Sequence, residues 1–236
     1  MRQLLRGIAA ATALSLAPLT AVAVTAAPAH AAATVNTTVT LASDITKIGF
    51  YGDYFSITAE VDATNDPDGY TTPFVGSAYL QRQAPGSSTW TTVGTDTDPS
   101  FSYFPDYDTF RGNALFRVYY TGGTYHAGES DERTYPASVS DTVRIRTARN
   151  IDGTDVSKGR TVRVRTVVKP KFGGKKVLVQ KKRSGGFRTI KKVRTNRQGV
   201  AVVSVSGSRR GIRYRLVAPG DRNFVASTLT FTARVY

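Results

Sequence analysis

In the stretch Arg160-Thr161-Val162-Arg163-Val164-Arg165-Thr166-Val167-Val168, valine or threonine alternates with arginine from Val162 to Thr166. A period of two belongs to extended backbone, in which successive side chains leave opposite faces. It predicts a strand with Val162 and Val164 on a core and Arg163 and Arg165 in water. The same reading holds further along the chain. Val177 and Val179 follow Gly173-Gly174, and Phe187 and Ile190 follow Gly185-Gly186. Residues 200–205 follow an Asn-Arg-Gln-Gly turn signal. Ile212, Tyr214 and Leu216 alternate with Arg213 and Arg215, and Leu229, Phe231, Ala233 and Val235 with Thr230, Thr232 and Arg234. With residues 143–147 in front, these make seven short strands, and seven such strands in about 100 residues predict a β-sandwich. Residues 149–159, with Asp152-Gly153, read as a linker or turn. Residues 141–148 can close a first sandwich, open a second, or run through both.

The first half repeats the plan. Tyr79-Leu80-Gln81-Arg82 lines up with Leu178-Val179-Gln180-Lys181, and Trp90-Thr91-Thr92-Val93 with Phe187-Arg188-Thr189-Ile190. Phe116-Arg117-Val118 lines up with Tyr214-Arg215-Leu216, and Tyr125-His126-Ala127 with Phe224-Val225-Ala226. Four matches in one order, at offsets between 97 and 99, indicate a tandem duplication. The fold expected is all-β, two tandem sandwiches: residues 32–145, acidic and rich in tyrosine, and residues 146–236, basic.

The pattern shared by the halves runs aliphatic-Gln-Arg or Lys, aromatic-x-x-aliphatic, aromatic-Arg-aliphatic, aromatic-x-Ala. It resembles the tandem bacterial immunoglobulin-like (Ig-like) domains of secreted proteins from high-GC Gram-positive bacteria. The resemblance implies an Ig-like fold and an extracellular scaffold or adhesive role. It carries over no catalytic residue, because the motif positions are core and hairpin positions, and fold analogy alone says little about function.

Residues 1–31 read as a secretory signal peptide: Arg2 and Arg6, an apolar stretch from Ile8 to Val24, and Ala29-His30-Ala31 as the cleavage signal, leaving Ala32 as the mature start. Pro18 and the small residues at its end argue against a membrane anchor. Beyond it no apolar run approaches the roughly 20 residues of a membrane helix. The expected location is secreted and extracellular, with the protein free or held non-covalently to the envelope. The chain has no cysteine, which excludes disulfides, thiolate metal sites and cysteine nucleophiles.

Charge is divided unevenly. Residues 32–137 carry five Lys and Arg against 13 Asp and Glu, a net of −8; residues 138–236 carry 25 against four, a net of +21. Such an excess concentrates polyanions around the second half. Its cations fall at water-facing strand positions and in turns: Arg163, Arg165, Lys175, Lys176, Lys181, Lys182, Arg183, Lys191, Lys192, Arg194, Arg213 and Arg215. The expected partner is an anionic envelope polymer or another polyanion, bound in a salt-dependent way. Sequence-specific nucleic-acid binding is not expected, since the few aromatics of this half sit mostly at core positions and offer no stacking platform. Opposite charges on the halves also allow head-to-tail self-association, or a contact between the halves of one chain.

Three candidate sites remain. Catalysis would rest on His126, the single histidine outside the signal peptide, with no G-x-S-x-G or H-E-x-x-H motif. A loop or core histidine is the reading preferred, and the chain is not expected to be an enzyme. No cofactor is expected, apart from a calcium candidate: Asp62, Asp66 and Asp68, with Asn65, crowd carboxylate and amide oxygens into one loop, although no Glu closes it as in an EF-hand. The first half also holds 18 aromatics. Phe55, Trp90 and Phe116 match core strand positions. Tyr51, Tyr54, Tyr70, Tyr103 and Tyr107, with Tyr120 and Tyr125, fall in or near turns and are candidates to contact a carbohydrate or a protein partner. The leading reading is a secreted, non-catalytic binding or adhesion module. The alternatives are a structural spacer and a carboxylate-based carbohydrate-active enzyme.

Overall fold

A computed structural model describes residues 32–43, 48–98, 102–159 and 161–235; for Ser43 and residues 102–108 it describes the backbone alone. The signal-peptide reading of residues 1–31 lies outside the described residues. Those described contain no helix. The strands of the first half are Ala33–Thr34 (β1), Asn36–Ser43 (β2), Gly49–Phe50 (β3), Tyr54–Thr64 (β4), Ala78–Gln83 (β5), Trp90–Asp96 (β6), Ser102–Thr109 (β7), Ala114–Tyr120 (β8), Gly123–Tyr125 (β9), Arg133–Tyr135 (β10), Ser138–Val139 (β11), Val143–Ile145 (β12) and Thr147–Ala148 (β13). Those of the second are Asn150–Asp155 (β14), Val162–Lys169 (β15), Lys176–Arg183 (β16), Gly186–Arg194 (β17), Val200–Val205 (β18), Ile212–Ala218 (β19) and Ser227–Ala233 (β20).

Alternation decides the layers. On β15, Val162, Val164, Thr166 and Val168 are buried and Arg163 and Arg165 exposed. The sheet β14-β15-β18 lies against β17-β16-β19-β20, with the core between them: Val164 and Val203 from one sheet, Val177, Val179, Tyr214 and Leu216 from the other. In the first half β2-β4-β7 lies against a sheet of β6, β5 and β8, edged by β11 and β12 on successive stretches of β8. Ile57, Val61, Leu80, Phe116, Val118 and Ile145 fill that separate core. Counting in chain order only the strands of these facing sheets, with β11 and β12 as one, each half sets its first, second and fifth against its fourth, third, sixth and seventh. This is an Ig-like sandwich whose fourth strand pairs with the third.

The likeness between the halves extends to side chains. Pairing shifts register between Leu80 and Gln81 on β5, and at the matching place, between Val179 and Gln180, on β16. Arg117 Nε donates to Gln81 Oε1 at 2.8 Å and stacks over Trp90, 4.2 Å from the ring centre. Arg215 Nε donates to Gln180 Oε1 at 2.9 Å and stacks over Phe187 at 4.4 Å. Trp90 is therefore not a core residue: it lies half-buried on the outer face under Arg117. One core position at which the halves differ is that of Tyr214. Tyr214 donates its hydroxyl to the Ser206 carbonyl at 3.0 Å, whereas its counterpart Phe116 has no hydroxyl to donate. Tyr214→Phe is expected to lower stability by about 1 kcal/mol, the worth of a hydrogen bond whose acceptor stays behind. A thermal melt reads this directly.

Two expectations about the middle of the chain are corrected. Residues 143–147 do not open the second sandwich, because β12 pairs with β8 and β13 with β3, both in the first half. The first strand of the second half is β14, where a linker is expected from composition, and it pairs along its length with β15. Its polar residues mask it because it is an edge strand, packing Ile151 on the core. Gly153 stands where a Cβ would come within 2.5 Å of Leu229 Cδ2, so the leucine fills the space a side chain would have marked.

The halves meet through residues 219–226. Asn113 N donates to Asn223 O at 2.7 Å, Asn113 Nδ2 to Arg222 O at 3.2 Å, Val225 N to Thr147 O at 2.8 Å, and the Arg222 guanidinium to Pro85 O. Asn150 Nδ2 donates to Tyr51 O at 2.9 Å, and the Tyr51 ring lies against Phe224. Arg149, 2% exposed, sits behind this loop. It donates Nε to Pro170 O at 3.0 Å and Nη2 to Asp221 Oδ2 at 2.6 Å, and faces the Phe224 ring at 4.2 Å. The ion pairs of Arg133 and of Arg149 each lie within one half, and the junction is made by backbone and amide hydrogen bonds together with the Arg222 guanidinium on a neutral carbonyl.

Candidate functional site

The pleat of β16, β17 and β19 sorts the cations of the second half. Val177, Val179, Tyr214 and Leu216 point to the core, so Lys176 and Lys182 on β16 and Arg213 and Arg215 on β19 face outward. Across the β16–β17 ladder Lys176 stands opposite Arg194, and Leu178 opposite Lys192. Six cations thus share one sheet face, and its four strands contain no Asp or Glu. Like charges directly opposite one another cost stability, and no acid on the face relieves it. Arg215 is held by the neutral Gln180 amide oxygen, which leaves its charge uncompensated.

The other expected cations lie elsewhere. Lys181, Arg183 and Lys191 turn toward the gap between β17 and β18, where they line a groove beside Tyr214, and Lys191 Nζ donates to the Ser204 carbonyl. Arg163 and Arg165 are exposed on the opposite sheet. Lys175 precedes β16 and is ion-paired to Asp221 at 2.8 Å. Of the residues named from sequence, Lys176, Lys182, Lys192, Arg194, Arg213 and Arg215 come together on one plane.

The aromatics of the first half divide similarly. Tyr70 and Phe74, 49% and 39% exposed, meet edge-on at 4.7 Å. Phe74 lies 4.8 Å from Tyr125, whose ring stacks on His126 at 3.7 Å. The four form a partly exposed aromatic shelf. His126 Nδ1 lies 2.8 Å from Asp131 Oδ2 and 3.7 Å from Glu129 Oε2. These three residues are a grouping whose donor atoms are close enough to share a metal ion. Tyr51 is half-buried with its ring against Phe224 at the junction, and Tyr120 is fully buried with its hydroxyl donated to Val75 O at 2.5 Å. Burial, with Tyr135 close by, pushes the Tyr120 hydroxyl up to about 12. Tyr54 is 71% exposed. The side chains of Tyr103 and Tyr107 lie outside the described residues. Sequence reasoning missed Phe74 and took His126 only as a loop or core histidine, because nothing local shows that their loops converge.

In the calcium-candidate loop, Asp66 and Asp68 already hold a cation. Arg133, 3% exposed, places Nε 3.1 Å from Asp66 Oδ2, an ion pair without hydrogen-bond alignment, and donates Nη2 to Asp68 Oδ2. Asp62 lies on β4, opposite Thr38 of β2. A metal ion there would compete with the guanidinium.

No protein-family model and no curated protein matches the chain. Among solved structures, a marsupial T cell receptor is similar at 10% identity, with a TM-score of 0.31, over 84% of this chain and 72% of that one. No helix among the described residues is long and apolar enough to cross a membrane.

Proposed function

We propose that the protein is a secreted, non-catalytic binding or adhesion module of the bacterial tandem Ig-like kind. Its basic half attaches to an anionic envelope polymer, and its aromatic-rich half contacts a carbohydrate or protein partner through the Tyr70–Phe74–Tyr125 shelf. The observation that carries the reading is the acid-free outer face of β17-β16-β19-β20, with Lys176, Lys182, Lys192, Arg194, Arg213 and Arg215 on one plane. Six charges at strand spacing meet a linear polyanion at several points at once, and each neutralised site releases a counterion.

Retention on isolated cell envelope, or on a sulfated-polysaccharide resin, is expected to fall steeply as salt rises. The Lys176→Gln, Lys182→Gln, Lys192→Gln, Arg213→Gln variant is expected to lower the slope of log affinity against log salt by about 3 to 4, close to one per lost contact. No retention at low salt would remove the attachment reading. What would then remain is a structural spacer, which the hydrogen-bonded junction at Asn113, Thr147 and Arg222 favours.

A further inference from the structure

We propose that the cavity between the two halves is a binding site for an anionic sugar, a pyranose-sized ring bearing a carboxylate or phosphate. The cavity has a volume of about 400 Å³, within the range of small-ligand sites, which form preferentially where two structural units meet. Both halves build it: Pro85, Asn113, Leu115 and Ile145 come from the first, Arg222 and Val225 from the second. Three guanidinium groups, Arg144, Arg146 and Arg222, stand in a wall that is otherwise apolar or carries only neutral polar groups.

The chemistry follows from that lining. A guanidinium presents its N–H groups as a planar fork that matches the paired oxygens of a carboxylate or phosphate. Apolar walls at Leu115 and Val225 suit the C–H face of a sugar ring, and the Gln83 amide suits its hydroxyls. Arg144 and Arg146 flank the buried Ile145 and are exposed, so they are free to turn onto a ligand. Arg222 is already fixed at the cavity by its bond to Pro85 O. Gln83, in the cavity wall, also lies on a suitable sheet face. Gln83 pairs with Leu115 on one side and Trp90 on the other, and the same sheet face continues to Arg117 and to Tyr79, stacked with Tyr119. An anionic residue in the cavity can therefore belong to a glycan that runs out over aromatic rings.

This site shares no residue with the cationic face and stands or falls separately from it. The test is calorimetric titration and thermal shift of the full chain at physiological salt, with digalacturonate, glucose 6-phosphate and, as the neutral control, glucose. Digalacturonate or glucose 6-phosphate is expected to bind and raise the melting midpoint, and comparing the two tells which anion the fork prefers. Arg144→Gln with Arg146→Gln is expected to weaken binding about tenfold or more, the loss of a charge-assisted pair. Ala84→Phe, which narrows the cavity and keeps all three arginines, is expected to weaken binding as well. Lys176→Gln with Lys192→Gln, the same charge change on the distant face, is expected to leave binding within about twofold. Three results would overturn the site: no binding of either anion up to about 10 mM, a concentration that reaches even weak small-ligand affinities; glucose binding as well as the anions; or equal losses in the two double variants.

Discussion

Asp221→Asn is expected to lower stability by about 3 kcal/mol at neutral pH, at the lower end of the cost of leaving a buried charge unpaired. Asn keeps the shape and an Oδ1 acceptor, so the turn in which Asn223 N and Phe224 N donate to Oδ1 can persist. What is lost is the negative charge beside Arg149, a guanidinium 2% exposed with Nη2 2.6 Å from Asp221 Oδ2. Lys175 loses its partner too, but it is exposed and that loss is small. In a chain of this size the change corresponds to a fall of roughly 10 °C in melting midpoint. Acid supplies a second reading. Burial raises the pKa of Asp221, but hydrogen bonds from Lys175, Arg149 and Asn223 N, with the Arg149 charge, outweigh it and hold it at about 2, below the ordinary 3.8. A carboxylate depressed in the folded state contributes fully above its unfolded pKa, and that contribution is lost as pH falls through the folded one. The gap between wild type and Asp221→Asn should therefore be widest near neutral pH and shrink between about pH 4 and pH 2. Equal midpoints at neutral pH would show that the pair does not hold the junction.

The parts of this protein legible from sequence are those where one face is buried and the other wet. β15 and β19 announce themselves because Val162, Val164, Tyr214 and Leu216 alternate with arginines that cannot be buried unpaired. The same parity could have separated Lys181 and Arg183, in phase with Val177 and Val179, from Lys176 and Lys182, which are out of phase. β14 fails the same test for a physical reason: its inward position at Gly153 is filled by Leu229 from another strand, so no local pattern reports it. Trp90 fails because an aromatic at a strand position reads as core, whereas Arg117, contributed by β8, covers it on the outer face. The aromatic shelf and the junction cavity were illegible in principle. Phe74 and Tyr125, or Arg144 and Arg222, are brought together by the packing of segments distant in sequence, and strand periodicity says nothing about such pairs.

Replacing Arg133 is expected to be as costly as breaking the Arg149 pair. Asp66 has a fully buried side chain, and Arg133 is the cation beside it. Arg133→Met keeps the length and apolar stem of the side chain but leaves that carboxylate without its partner, a loss of about 3 to 5 kcal/mol. Asp68 loses its pair and Tyr70 the cation over its ring, 5.7 Å away, so the loop carrying the aromatic shelf loosens with it. A melt of the variant measures the cost, and increased protease cleavage confined to residues 65–75 would locate it. Calcium separates structural neutralisation from metal binding. With the guanidinium in place, millimolar calcium should leave the wild-type midpoint unchanged. With Arg133 gone, Asp66, Asp68 and the loop carbonyls offer the oxygen ligands that calcium takes, and the midpoint of the variant should rise. A calcium-dependent rise in the wild type would mean instead that the ion displaces Arg133, and that the loop is a cation site in the native protein.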